Sequence, residues 1–176
     1  MLVQTRDFID VAARARELGC PVPVRIALLP GNLSTAASVG EFFFHAATPS
    51  VRSAWQSVGL DDEGPSGTGG GDSGSGVRTP IPGPQPLAPS ASAKVPLVVF
   101  FGAGLLAGPQ WHLVVALGMV SSVLASHARC ASTRDVRLDV VVERPGERCC
   151  ACIEYQGDAF GIIALARDVR RIWTEK

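Results

Sequence analysis

No formally charged side chain stands between Lys94 and Arg129 in the stretch KVPLVVFFGAGLLAGPQWHLVVALGMVSSVLASHARC. A run this apolar must either enter a membrane or be buried by the rest of the protein, and that choice constrains every other part of the chain. As one helix, residues 95–125 would extend roughly 45 Å at about 1.5 Å per residue, against a bilayer core of about 30 Å. Gly108-Pro109 breaks or kinks the run near its middle. A kinked or tilted single span fits these lengths, and so does a shallow re-entrant hairpin. Gly104 and Gly108 have the GxxxG spacing that lets membrane helices approach closely. Trp111, between Gln110 and His112, suits a membrane interface. The alternative is a soluble core in which Trp111 and His112 are buried, with the apolar helices packed between copies of the chain. The reading adopted is an apolar helical segment over 95–128 acting as a membrane anchor. Arg129, Arg134 and Arg137 follow it closely, so the positive-inside tendency places the protein at the plasma membrane with a cytoplasmic C-terminus; the soluble alternative is cytoplasmic.

Residues 1–60 read as a small helical module. Phe8, Val11, Ala12, Ala15 and Leu18 recur at helical spacing between a Thr5 cap and Gly19, predicting a helix over 5–18. SVGE at 38–41 is a capping box leading into FFFH. TPSVRSAWQSVG gives a helix with Thr48 as N-cap, Pro49 in the first turn and Gly59 as the stop, with Val51, Ala54, Trp55 and Val58 on one face. Residues 61–94 are Gly/Ser-rich and then Pro-rich, and read as a disordered linker.

Residues 134–176 form the most legible part. Val136, Leu138, Val140 and Val142 alternate with Arg137, Asp139, Val141 and Glu143, as in a strand with one apolar face. Pro145-Gly146 suits the centre of a type II turn, and RCCACIEY returns as the second strand with Ala151, Ile153 and Tyr155 on one side. A helix from Ala159 carries Ile162, Leu165, Ala166, Val169, Ile172 and Trp173 at helical spacing. The fold class is α+β, ending in a ββα module. Two strands under one helix make a very small core, so another chain is expected to pair with an open edge or cover the remaining face.

The 16 basic and 16 acidic residues balance, leaving no basic excess to hold nucleic-acid phosphates. Cys20, Cys130, Cys149, Cys150 and Cys152 are odd in number with no signal peptide before them, which favours a reducing compartment over a disulfide framework. His127, Cys130, Cys149 and Cys152 have a spacing that tetrahedral zinc can use, but strand alternation separates Cys149 from Cys152, and packing is the simpler role. Gly69, Gly71 and Gly74 match GxGxxG, and GDSG around Ser73 resembles a protease nucleophile motif; both lie in the linker, without the strand and helix either chemistry needs. Glu41 and His45 would share a helical face without further ligands, and Asn32 begins an NLS glycosylation acceptor. No convergent acid, base or nucleophile sits on structured sequence, so neither a catalytic residue nor a cofactor or metal ligand is assigned, and a non-enzyme is expected. The candidate partner-binding residues are Arg167, Arg170 and Arg171, a basic helix face that an acidic partner or anionic lipid would meet.

The order of apolar segment, hairpin VRLDVVVERPGERCCACIEYQG and helix AFGIIALARDVRRI resembles the effector-associated constant component family of bacterial conflict systems, over residues 95–173. The resemblance implies a non-catalytic accessory that works beside an effector. The expected function is therefore a membrane-associated adaptor with a protein partner or self-association, and no small-molecule substrate. A soluble oligomeric binding module is the alternative.

Overall fold

The computed structural model describes residues 2–65, 95–130, 135–146 and 149–174. Its five strands are β1 (Leu2–Phe8), β2 (Ile26–Leu29), β3 (Leu97–Phe101), β4 (Val136–Glu143) and β5 (Cys150–Gly157). The helices are α1 (Val11–Glu17), α2 (Thr48–Ser57), α3 (Ala103–Leu106), α4 (Gln110–Cys130) and α5 (Leu165–Thr174), with 3-10 turns at Val39–Glu41 and Ala159–Ala164. All five strands form one mixed sheet in the order β1-β5-β4-β3-β2. Only β3 and β4 are parallel neighbours, and α4 crosses between them as such a pair requires. The class is α+β.

The hairpin and its helix form as the alternation predicts. Val136, Leu138, Val140 and Val142 share one buried cluster with Ile162, Leu165, Val169 and Ile172, and Ala151, Ile153 and Tyr155 complete the layer. Gly146 has φ 82°, which the Pro-Gly turn needs at that position. The strands that fill both edges of the hairpin come from the same chain. β1 pairs with β5 over Leu2–Phe8, and β3 pairs with β4 over Leu97–Phe101.

Residues 1–60 are accordingly not a separate helical module, for they contribute β1, β2, α1 and α2 to one architecture. The predicted helix over 5–18 divides: its first part is strand, and Asp10, whose carboxylate accepts the Ala13 N–H, starts α1. The 38–41 capping box is a single 3-10 turn in which Ser38 makes no side-chain cap and Glu41 bonds back to the Ala37 N–H. The helix over 48–57 is present, started at Ala47 and followed by Gly59 at φ 75°.

Residues 95–128 are likewise not one apolar helix. Leu97–Phe101 is a strand buried on both faces. Gly102 follows because a Cβ there would strike the Val24 carbonyl, and Glu143 then takes the Ala103 N–H at 2.6 Å to start α3. After Gly108-Pro109, α4 turns Leu113, Ala116, Leu117, Val120 and Leu124 inward. The Trp55 indole donates to the Ala116 carbonyl at 3.1 Å, and the Ser121 hydroxyl donates to the Ala159 carbonyl at 2.8 Å. Among the described residues α4 is the one helix long and apolar enough to cross a membrane, and 33% of its most apolar window lies buried.

The predicted linker falls outside the described residues over 66–94. Its first residues are ordered against β2, which corrects the expectation for 61–65. The Asp62 carboxylate accepts the Leu28 and Gly64 N–H groups and pairs with Arg52 at 2.7 Å. Glu63 accepts the Val24 and Arg25 N–H groups and donates its own N–H to the Ile26 carbonyl. The outer edge of β2 is thereby occupied. On the sheet face opposite α4, α1 and the segment after β2 bury Ala27, Leu29, Val98, Phe100, Val141, Cys150 and Cys152 with Val11, Leu33, Ala36 and Phe42.

Candidate functional site, a polar cleft on the sheet

The cover on that second face stops partway across the sheet. Where β4 carries Val141, α1 lies above it; where β4 carries Arg137 and Asp139, the face is open. Residues on directly opposed positions share a face of the sheet. Register therefore places Arg137 beside Gln156 and Leu2, and Asp139 beside Glu154 and Gln4. These side chains and Pro96 line an open cleft of about 260 Å³.

Asp139 is the floor of this cleft. Its side chain is 15% exposed, and the nearest cation is the Arg6 guanidinium at 3.8 Å. Arg6 is engaged mainly by Glu154 through a short ion pair, so one guanidinium serves two carboxylates. Burial first, and then the Glu154 charge, push the Asp139 carboxyl up to about 6, with Arg6 opposing. Cys152 stands beneath Arg6, and burial pushes its thiol up to about 12; Cys150 is raised to about 11 for the same reason. Both thiols therefore stay protonated near neutral pH and are poor nucleophiles. The cleft presents a carboxyl that titrates close to neutrality among guanidinium and amide groups, an arrangement suited to recognising a charged or strongly hydrogen-bonding group.

The basic residues singled out on α5 have three different settings. Arg167 is exposed, and Arg171 is exposed and pairs with Asp168 at 3.4 Å. Arg170 is half-buried and donates to the Gly108 carbonyl at 3.3 Å, tying α5 to the start of α4. His127 and Cys130 end α4, whereas Cys149 precedes β5 and Cys152 faces the second core. No group of three or more metal-ligating side chains converges among the described residues. His45 is not on a helix with Glu41; its Nδ1 accepts the Ala47 N–H at 3.0 Å. Asn32 uses its amide inside the loop, donating to the Glu41 carbonyl and accepting from the Phe43 N–H. The GxGxxG and GDSG matches lie outside the described residues.

Sequence reasoning missed the cleft because its residues come from β1, β4 and β5, and β1 reads as helix. The available signal was the break in apolar character on the second face of β4, where Arg137 and Asp139 precede Val141. No protein-family description, curated protein or solved structure matches the chain.

Proposed function

We propose that the chain is a non-catalytic accessory or adaptor that docks a protein partner on the outer side of its helical layer. One observation carries this reading: large apolar side chains stand exposed there although both internal cores are closed. Trp111 is 57% and Phe160 74% exposed, with Val114 and Ile163 beside them in the chain on the same two elements. The Ser121–Ala159 and Arg170–Gly108 bonds lay residues 159–174 antiparallel to α4, with Phe160 beside Ser121 and α5 running toward the α4 start that carries Trp111. Ile163, Arg167 and Arg171 follow at four-residue intervals, so arginines border the apolar residues. Exposed aromatic anchors beside arginine are the composition of a binding hot spot, here for a partner with an apolar pocket and acidic rim. The resemblance to effector-associated components supports an effector as that partner.

Affinity capture with the full chain and with a Trp111→Asp/Phe160→Asp variant tests this. The wild type should retain a partner that the variant loses, with unchanged melting, because neither side chain is in a core. Identical capture by both would overturn it.

The length and apolar character of α4 favour a second reading, association with a membrane. Its apolar residues also cover the sheet, so spanning would withdraw Leu113, Leu117, Val120 and Leu124 from the core. The membrane reading is therefore one of peripheral contact through Trp111 and Phe160, with Arg167 and Arg171 meeting anionic headgroups at the cytoplasmic side of the plasma membrane. Cosedimentation with anionic vesicles, reversed by carbonate, is its expected signature; resistance to carbonate would contradict it.

A further inference from the structure

The two edges of the sheet are treated differently. Asp62, Glu63 and Gly64 occupy the outer edge of β2. β1 is the terminal strand on the other side, exposed along Leu2–Asp7, and no described strand lies beyond it. An open edge is a template for another strand unless something blunts it. β1 contains neither lysine nor proline to do so.

We propose that β1 pairs with β1 of a second copy, antiparallel and centred on Thr5, joining two sheets into one and completing the polar cleft of each. Directly opposed residues must lie on the same face, so a twofold continuation of the sheet is centred on a residue. Centring on Arg6 would oppose two guanidiniums. Centring on Gln4 would leave Asp7 and Phe8 unpaired. Centring on Thr5 pairs all of Leu2–Phe8, setting Leu2 against Phe8, Val3 against Asp7 and Gln4 against Arg6. This register avoids direct like-charge opposition and puts the apolar ends together.

The same register acts on the cleft. Within one copy a row runs Asp139, Glu154, Gln4 across β4, β5 and β1. The second copy adds its Arg6 as the next member, beyond Gln4 and one row over from the first Arg6. The β1 border of the row, where one guanidinium serves two carboxylates in the single copy, then carries two, and the exposed Arg137 stands one row away on β4. The second copy thus supplies a side chain that the site lacks.

Sedimentation equilibrium of the full chain, from low micromolar to near-millimolar concentration, should show a monomer–dimer equilibrium. Thr5→Lys sets two ammonium groups face to face at the twofold axis and should give a monomer with an unchanged circular dichroism spectrum. In a Cys130→Ser background, Thr5→Cys should form a disulfide-linked dimer through the substituted position, identified by peptide mapping, whereas Asp7→Cys should not. A wild type that stays monomeric overturns the proposal. A dimer that survives Thr5→Lys but dissociates with Trp111→Asp also overturns it, by assigning self-association to the helical face. The adaptor reading is judged separately, because its variants leave β1 untouched.

Discussion

Asp139 and His45 pull the pH dependence of stability in opposite directions. The Asp139 carboxyl is raised from 3.8 to about 6, chiefly by burial. The folded state therefore binds its proton more tightly, and this group's contribution is favourable below pH 4 and lost as pH rises to about 6. His45 is lowered from 6.5 to about 4 by burial first and the nearby His127 second. The folded state resists protonating it, so this contribution is intact above about pH 6.5 and is lost as pH falls toward 4. Between pH 4 and 6 the two should largely offset. Urea titrations should show a shallow dependence for the wild type in that window. Asp139→Asn should add ~1 kcal/mol at pH 7, after allowance for the Arg6 pairing it forfeits, and make stability fall clearly on acidification. His45→Gln should remove that acid loss. Parallel wild-type and Asp139→Asn curves would contradict the assignment.

At the scale of elements, β4 is central in position and in energetics. Val140 is fully buried between the helices and the sheet, so Val140→Asp should leave no folded population; an unpaired buried carboxylate costs several kcal/mol. Loss of near-ultraviolet circular dichroism checks this, and a native spectrum would contradict it. α2, α5 and most of β4 were legible because each has one buried face, giving a period of two or about 3.6, and β5 was legible as the return strand after the Pro-Gly turn. β1 was not legible for the opposite reason: both its faces are exposed over most of its length, so no alternation marks it. Phe8 then joined Val11, Ala15 and Leu18 in a helical spacing that holds for α1 alone. β3 failed in a third way. Leu97–Phe101 is buried on both faces, and a short continuous apolar run has no period to separate strand from helix. The cleft inherits these failures, since β1 supplies Leu2 and Gln4 to its lining and the Arg6 that pairs with its carboxylates.

At the scale of the whole molecule, the hairpin module cannot stand alone. Both its edges are paired by strands from elsewhere in the chain, and α4 and α1 add cover on its two faces. Residues 134–176 by themselves should be unfolded or self-associated, and residues 1–65 and 95–176 expressed together should reconstitute the sheet. Amide exchange of β5 checks this: protection in the mixture and none in either piece is expected, whereas protection in residues 134–176 alone would contradict it. The pairing of Leu2 with Gln156 also has a temporal consequence. During synthesis β1 leaves the ribosome long before its partner β5, while β3 and α4 emerge in between with their apolar residues uncovered. Closing so long a loop is slow, and at about 5–20 residues per second the wait lasts many seconds. The nascent chain should therefore depend on chaperones that shield apolar segments at the ribosome, and their depletion should lower its soluble yield.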